Sequence, residues 1–117
     1  MAATVLIVDD NAGFRSFAGA LLRRQGFEIV GEAGDGETGL AAARQLRPDV
    51  LLLDVQLPGI DGFEVTRRLR EDAPVTEVVL ISARDRRDYG AEVDDCGARA
   101  FMQKDDVSGP GLEAALG

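Results

Sequence analysis

Histidine is missing from this chain of 117 residues. Its absence removes the commonest general base and the commonest transition-metal ligand, so Ser-His-Asp chemistry and a zinc centre are both excluded. Cysteine occurs once, as Cys96, which rules out an internal disulfide and suits a reducing compartment. Positive charge is scarce: 13 Lys and Arg face 21 Asp and Glu, for a formal net charge of -8 and a pI of about 4.4. Phosphate binding draws on Lys and Arg, so direct nucleic-acid binding by this chain is not expected. Protein or cationic partners are. No apolar run approaches the length of a membrane span. The opening "MAATVLIVDD" lacks the basic start and long apolar stretch of a signal peptide. A cytoplasmic protein without membrane contact is expected.

What is present is enough apolar material for one packed domain. Hydrophobic residues make up 45% of the sequence, and a single domain over residues 1–117 is expected. Short β-branched runs alternate with longer amphipathic segments. The runs are "TVLIV" (4–8), "FEIVGE" (27–32), "DVLLLD" (49–54), "EVVLIS" (77–82) and "ARAFMQ" (98–103). Three of them, around residues 5, 51 and 79, are apolar at consecutive positions, the mark of strands covered on both faces.

Helices are expected between the runs. Residues 12–25 bring Phe14, Phe17, Ala18, Leu21 and Leu22 to one face, with Gly26 placed to end the helix. Residues 37–47 group Leu40, Ala43 and Leu46 and stop before Pro48. Residues 61–71 carry Phe63, Val65 and Leu69, with Asp61 as N-cap. Residues 86–96 read as a weaker, charged helix interrupted by Gly90, and a short helix over 108–116 starts at Ser108. Phe14, Phe17, Phe27 and Phe63 are expected in the core. Cys96 is expected to be half-buried on a helix, and Tyr89 with "RDRRD" (84–88) to form a solvated helix face.

Five alternating pairs predict an α/β fold of the flavodoxin-like (βα)5 kind. It is a three-layer sandwich around a five-stranded parallel sheet in the order 2-1-3-4-5. In such a sheet, sites form at the carboxyl ends of the strands beside the point where strand order reverses. Strand 1 ends in Asp9 and Asp10, strand 3 in Asp54. A capping role for the first helix accounts for one of the adjacent pair. Three converging carboxylates call for compensation, and a hard divalent cation such as Mg²⁺ supplies it. Ser82 ends strand 4 and Lys104 follows strand 5 at the same edge. A hydroxyl donor and an ammonium there complete a set suited to a phosphoryl group.

With "VLIVDDN", "DVLLLDVQLPGIDG", "LISA" and "FMQK" in this order, the whole chain resembles the receiver domain of bacterial two-component response regulators. The resemblance implies that Asp54 is the phosphoacceptor, attacking a phosphohistidine of a sensor histidine kinase or phosphotransfer protein. It implies direct binding of Mg²⁺ (or Mn²⁺) by Asp10, with Asp9 assisting through water and the Gln56 backbone carbonyl completing the protein ligands. Ser82 corresponds to the family's switch hydroxyl, Phe101 to its switch aromatic and Lys104 to its lysine. The protein would then be a signalling phosphoacceptor that assists its own phosphorylation and dephosphorylation. It would act on a downstream protein or output domain, and a phosphorylation-dependent homodimer through helix 4, strand 5 and helix 5 is a family expectation. A free-standing regulator and a receiver cut from a longer transcription factor both fit.

The family usually has proline after the lysine. Here Asp105 takes that place, so the bond is expected to be trans. Asp105 or Asp106 is expected to compete for the Lys104 ammonium. Gln56 and Arg84 stand where the family tunes dephosphorylation, and a bulky Arg84 at the mouth favours a long-lived phosphoryl state.

Two other readings compete. "GDGETG" (34–39) matches the G-x-G-x-x-G outline of a dinucleotide-binding loop. Asp35 and Glu37 put negative charge where a pyrophosphate would lie, and a Gly-rich turn before helix 2 explains the motif better. A Mg²⁺-dependent phosphatase with an aspartyl nucleophile shares the chemistry but needs larger substrate-binding loops.

Overall fold

The computed structural model describes residues 2–72 and 75–117. Strand β1 (Thr4–Val8) leads into helix α1 (Ala12–Arg24), and β2 (Glu28–Ala33) into α2 (Gly36–Leu46). β3 (Val50–Asp54), α3 (Gly62–Glu71) and β4 (Glu77–Ser82) follow. A 3-10 turn over Arg86–Asp88 and the short α4 (Glu92–Asp95) precede β5 (Ala100–Gln103). A second 3-10 turn over Lys104–Asp106 then leads to α5 (Gly109–Leu116).

All strand pairs are parallel, in the order β2-β1-β3-β4-β5. The continuous apolar runs are the central strands, and alternate residues serve opposite cores. Leu6, Val8, Leu51, Leu53, Val78 and Leu80 face Leu40 and Ala43 of α2, Phe63, Val65 and Leu69 of α3, and Val93 of α4. Val5, Ile7, Leu52, Val79 and Ile81 face Ala18 and Leu22 of α1 and Leu112 of α5. Three layers result, as the sequence predicts. At about 25 cal/mol per Å² of apolar surface, this two-sided burial is the main stabilising contribution of the sheet.

Side-chain caps fix the helix starts: Asn11, Asp35, Asp61 and Ser108 accept from the backbone N–H of Phe14, Thr38, Glu64 and Gly111. Asn11, then, caps α1. Neither Asp9 nor Asp10 is needed for it. Helix α2 ends at Leu46, one residue earlier than expected, because Arg47 before Pro48 turns left-handed at φ 46°. The glycines of "GDGETG" are packing residues. A Cβ on Gly36 would collide with the Ile60 carbonyl, and one on Gly39 would lie 2.7 Å from Val8 Cγ1.

Other expectations need correction. Phe17 is 61% exposed and Leu46 44% exposed, each at the margin of its helix's buried stripe, and Phe14 is only half-buried. Cys96 is fully buried in the α2/α3/α4 core layer. The helix expected over 86–96 forms only in pieces, because Gly90 adopts φ 64° and breaks the path. Strand 5 begins at Ala100, two residues later than expected. Among the described residues, no helix is long and apolar enough to cross a membrane.

Candidate functional site

Asp9 directly follows β1, Asp54 ends β3, Ser82 ends β4 and Lys104 directly follows β5. The parallel register brings these strand ends level, with Asp54 beside Ile81 and Ser82 beside Gln103. One ligand oxygen from each of Asp9, Asp10 and Asp54 lies within 4.8 Å of the others, so the cluster could hold a metal ion. Asp9 is wholly buried, Asp54 nearly so, and Asp10 is exposed.

The three carboxylates are held in different ways. Asp9 Oδ1 accepts from Asn11 N–H at 2.9 Å, while the Asp9 N–H donates to the Ala33 carbonyl at 3.0 Å. Asp9 Oδ2 lies 2.7 Å from Lys104 Nζ, yet it accepts no hydrogen bond of good geometry. The contact is an ion pair by distance, and a buried oxygen keeps acceptor capacity to spare. Asp10 forms no ion pair or side-chain hydrogen bond among the described residues. Asp54 Oδ1 accepts from Gln56 N–H at 3.3 Å, and Oδ2 lies 3.4 Å from Lys104 Nζ. The Gln56 carbonyl is not engaged by another backbone N–H among the described residues. An all-oxygen donor set with spare acceptors fits Mg²⁺ or Mn²⁺ and does not fit a soft metal.

Burial dominates the electrostatics. It pushes the Asp54 carboxyl up from 3.8 to about 6, the charge of Asp9 adds to this, and Lys104 opposes it. For Lys104 burial works downward, but Asp9 and Asp54 together outweigh it and hold the ammonium above its usual value. Lys104 Nζ also lies over the Phe14 ring, 4.9 Å from its centroid. The expected competition from Asp105 and Asp106 does not occur: both are exposed, and the ammonium pairs with Asp9 and Asp54 instead. No cis peptide bond is present among the described residues.

Two supporting contacts come from Arg15, which no sequence motif marks, and from Tyr89, which is expected on a solvated helix face. Arg15 on α1 donates from Nη1 to the Asp9 carbonyl at 2.5 Å and from Nε to Glu32 at 3.0 Å, which ties β1, β2 and α1 together under the acidic edge. Tyr89 is not on a solvated face. Its hydroxyl lies 2.6 Å from Ser82 Oγ, and its ring packs against Phe63 and Phe101. Gly62 allows close approach at the other side: a Cβ there would lie 2.5 Å from the Asp54 carbonyl, so α3 could not start so near β3 with any larger residue. Ser82, Lys104 and the three aspartates thus occupy one edge of the sheet, while Phe101 sits within β5 opposite Leu80. Arg84, next along, is exposed.

Comparisons with known proteins agree with this fold. The response regulator GacA of Pseudomonas aeruginosa is 38% identical over 110 residues, covering 93% of this chain and 50% of GacA. A protein-glutamate methylesterase/protein-glutamine glutaminase of Anaeromyxobacter dehalogenans is 42% identical over 106 residues, covering 90% of this chain and 30% of its own length. The chain spans about half the length, or less, of such curated relatives. Among solved structures, the signal receiver domain of the putative response regulator NarL from Mycobacterium tuberculosis superposes with a TM-score of 0.88 at 34% identity, covering 99% of this chain and 98% of that one. The chemotaxis response regulator CheY4 of Vibrio cholerae gives 0.85 at 28% identity, with coverage of 99% and 97%. Neither the phosphatase nor the nucleotide-binding reading is favoured by these matches. The response regulator receiver domain model matches residues 5–113, nearly the whole sheet and every strand-end residue described above, and the chain belongs to that family.

Proposed function

We propose that Asp54 accepts a phosphoryl group from a phosphohistidine on a sensor histidine kinase or phosphotransfer protein, and that the aspartyl phosphate is the signal. The observation that carries this reading is the convergence of Asp9, Asp10 and Asp54, with Lys104 Nζ at 2.7 Å from Asp9 and 3.4 Å from Asp54. One oxygen of Asp54 attacks phosphorus, the P–N bond breaks, and the imidazole leaves with the electron pair. Lys104 faces both Asp54 and the incoming group, and its ammonium offsets charge that would otherwise repel the donor. Asp10, Asp54 and the Gln56 carbonyl, with Asp9 through water, are the groups that would hold Mg²⁺ or Mn²⁺. Bound there, such a cation would supply charge screening for the phosphoryl oxygens.

Ser82 is the donor for a phosphoryl oxygen once transfer is complete, and Phe101 belongs to the surface that responds. The responding face, made by α4, β5 and α5, would meet an output domain, a separate protein or a second copy of the chain. We place one receiver domain over residues 1–117, acting in the cytoplasm and assisting its own phosphorylation and dephosphorylation. Intact mass after incubation with acetyl phosphate tests the chemistry. One added phosphoryl group that requires both Mg²⁺ and Asp54 supports the reading. Equal labelling of Asp54→Asn would remove Asp54 from it.

A further inference from the structure

Ser82 is 1% exposed, and its hydroxyl is already engaged. Oγ accepts from the Arg84 N–H at 3.0 Å and shares a 2.6 Å hydrogen bond with the Tyr89 hydroxyl. No hydrogen bond joins it to Asp54 or Lys104 among the described residues. The Tyr89 ring stands edge-on to Phe63 of α3, with centroids 5.5 Å apart at 72°, and tilted against Phe101 of β5 at 6.1 Å and 57°. Phe101 has no hydroxyl to offer. The phenol that meets Ser82 comes instead from the connection after β4.

That connection is thinly held. The 3-10 turn Arg86–Asp88 buries no side chain, Gly90 turns at φ 64°, and the four residues of α4 bury Val93 alone. Tyr89 is therefore the main inward anchor between β4 and Val93. Beyond Tyr89 and Val93 the segment is held by exposed ion pairs, Arg67 with Glu92 and Arg86 with Asp94, which fix it weakly. A conditional fixing point therefore gives it two accessible arrangements.

We propose that Tyr89 is a positioning residue that latches the Ser82 hydroxyl away from Asp54, and that a phosphoryl group on Asp54 opens the latch and frees the 86–95 segment. The proposal rests on the phosphoacceptor reading of Asp54. The Tyr89–Ser82 bond joins two neutral hydroxyls, whereas a bond from Ser82 to a phosphoryl oxygen is charge-assisted and about twice as strong. The phosphoryl group wins that competition. Ser82 reaches it by turning about Cα–Cβ to another staggered position, which takes Oγ away from the phenol. The message thus leaves the site through Tyr89, with Phe101 as the neighbour that repacks.

The chain has one tyrosine and no tryptophan, so its ultraviolet emission reports Tyr89 alone. Beryllofluoride with Mg²⁺, which stands in for the phosphoryl group on Asp54, is expected to change that emission in the wild type and leave it nearly unchanged in Ser82→Ala. Tyr89→Phe keeps the ring and removes the latch. Its affinity for beryllofluoride in the presence of Mg²⁺, measured by calorimetry, is expected to be roughly 2- to 10-fold tighter, the factor carried by one neutral hydrogen bond. Wild-type protein that gains phosphate on Asp54 with unchanged emission, or Tyr89→Phe that binds beryllofluoride no more tightly than wild type, overturns the latch while the receiver reading stands. A wild type that takes up no phosphoryl group overturns both.

Discussion

Lys104 Nζ lies 2.7 Å from Asp9 Oδ2 and reaches it from the far end of β5, four strands along the sheet order from β2 and two from β1's neighbour β3. The pair closes the carboxyl edge with a cation opposite a wholly buried carboxylate. Removing the cation strands that charge. Lys104→Ala is expected to lose about 2–4 kcal/mol of stability, toward the lower side of what breaking a buried pair costs because the ammonium keeps some water. Urea unfolding measures it, and Lys104→Arg, which keeps the charge, should recover at least half.

Asp54 should destabilise the metal-free fold at neutral pH. Its carboxyl titrates at about 6 when folded and near 3.8 in an ordinary environment, so the folded chain holds the extra proton between those values. The associated stability is complete below 3.8 and is lost as pH rises through 6, on the order of 3 kcal/mol in all. Asp54→Asn is therefore expected to melt several degrees higher than wild type at pH 7 without divalent cations. At pH 4 the difference should largely vanish. Thermal unfolding at the two pH values checks it.

Asp10 separates the fold from the cation. It is exposed and forms no ion pair among the described residues, so Asp10→Asn should change metal-free stability by no more than about 0.5 kcal/mol. Mg²⁺ should raise the melting temperature of wild type progressively with concentration, as any ligand of the folded state does. In Asp10→Asn that rise should shrink or disappear.

Arg84 stands exposed two residues beyond Ser82. If its side chain hinders water at the mouth, Arg84→Ala should lose the phosphoryl group several-fold faster than wild type. The decay of the phosphorylated mass after donor removal reads this directly.

Sheet and site were legible in the sequence for one physical reason. A parallel strand covered on both faces must be apolar without interruption, so "VLIV", "VLLL" and "VVLI" announce both their burial and where it stops. Polar residues at those stops, Asp9, Asp54 and Ser82, then have to lie at one edge. Tyr89 was not legible. Helical periodicity over 86–96 directs it to solvent with the charged residues around it, but Gly90 at φ 64° ends the turn and points the ring between Phe63 and Phe101. Phe17 and Leu46 fail in the opposite sense. Periodicity gives a helix face its direction but not its width, and both residues fall just outside the strip that the sheet covers.

Asp54 is the residue proposed to carry the phosphoryl group. Borohydride reduces an acyl phosphate on aspartate to homoserine, so treatment of the phosphorylated chain followed by peptide mapping locates it. Homoserine at position 54, formed only with Mg²⁺ present, is the predicted result. Homoserine at position 9 or 10, or a phosphorylated chain with Asp54 intact, would contradict it.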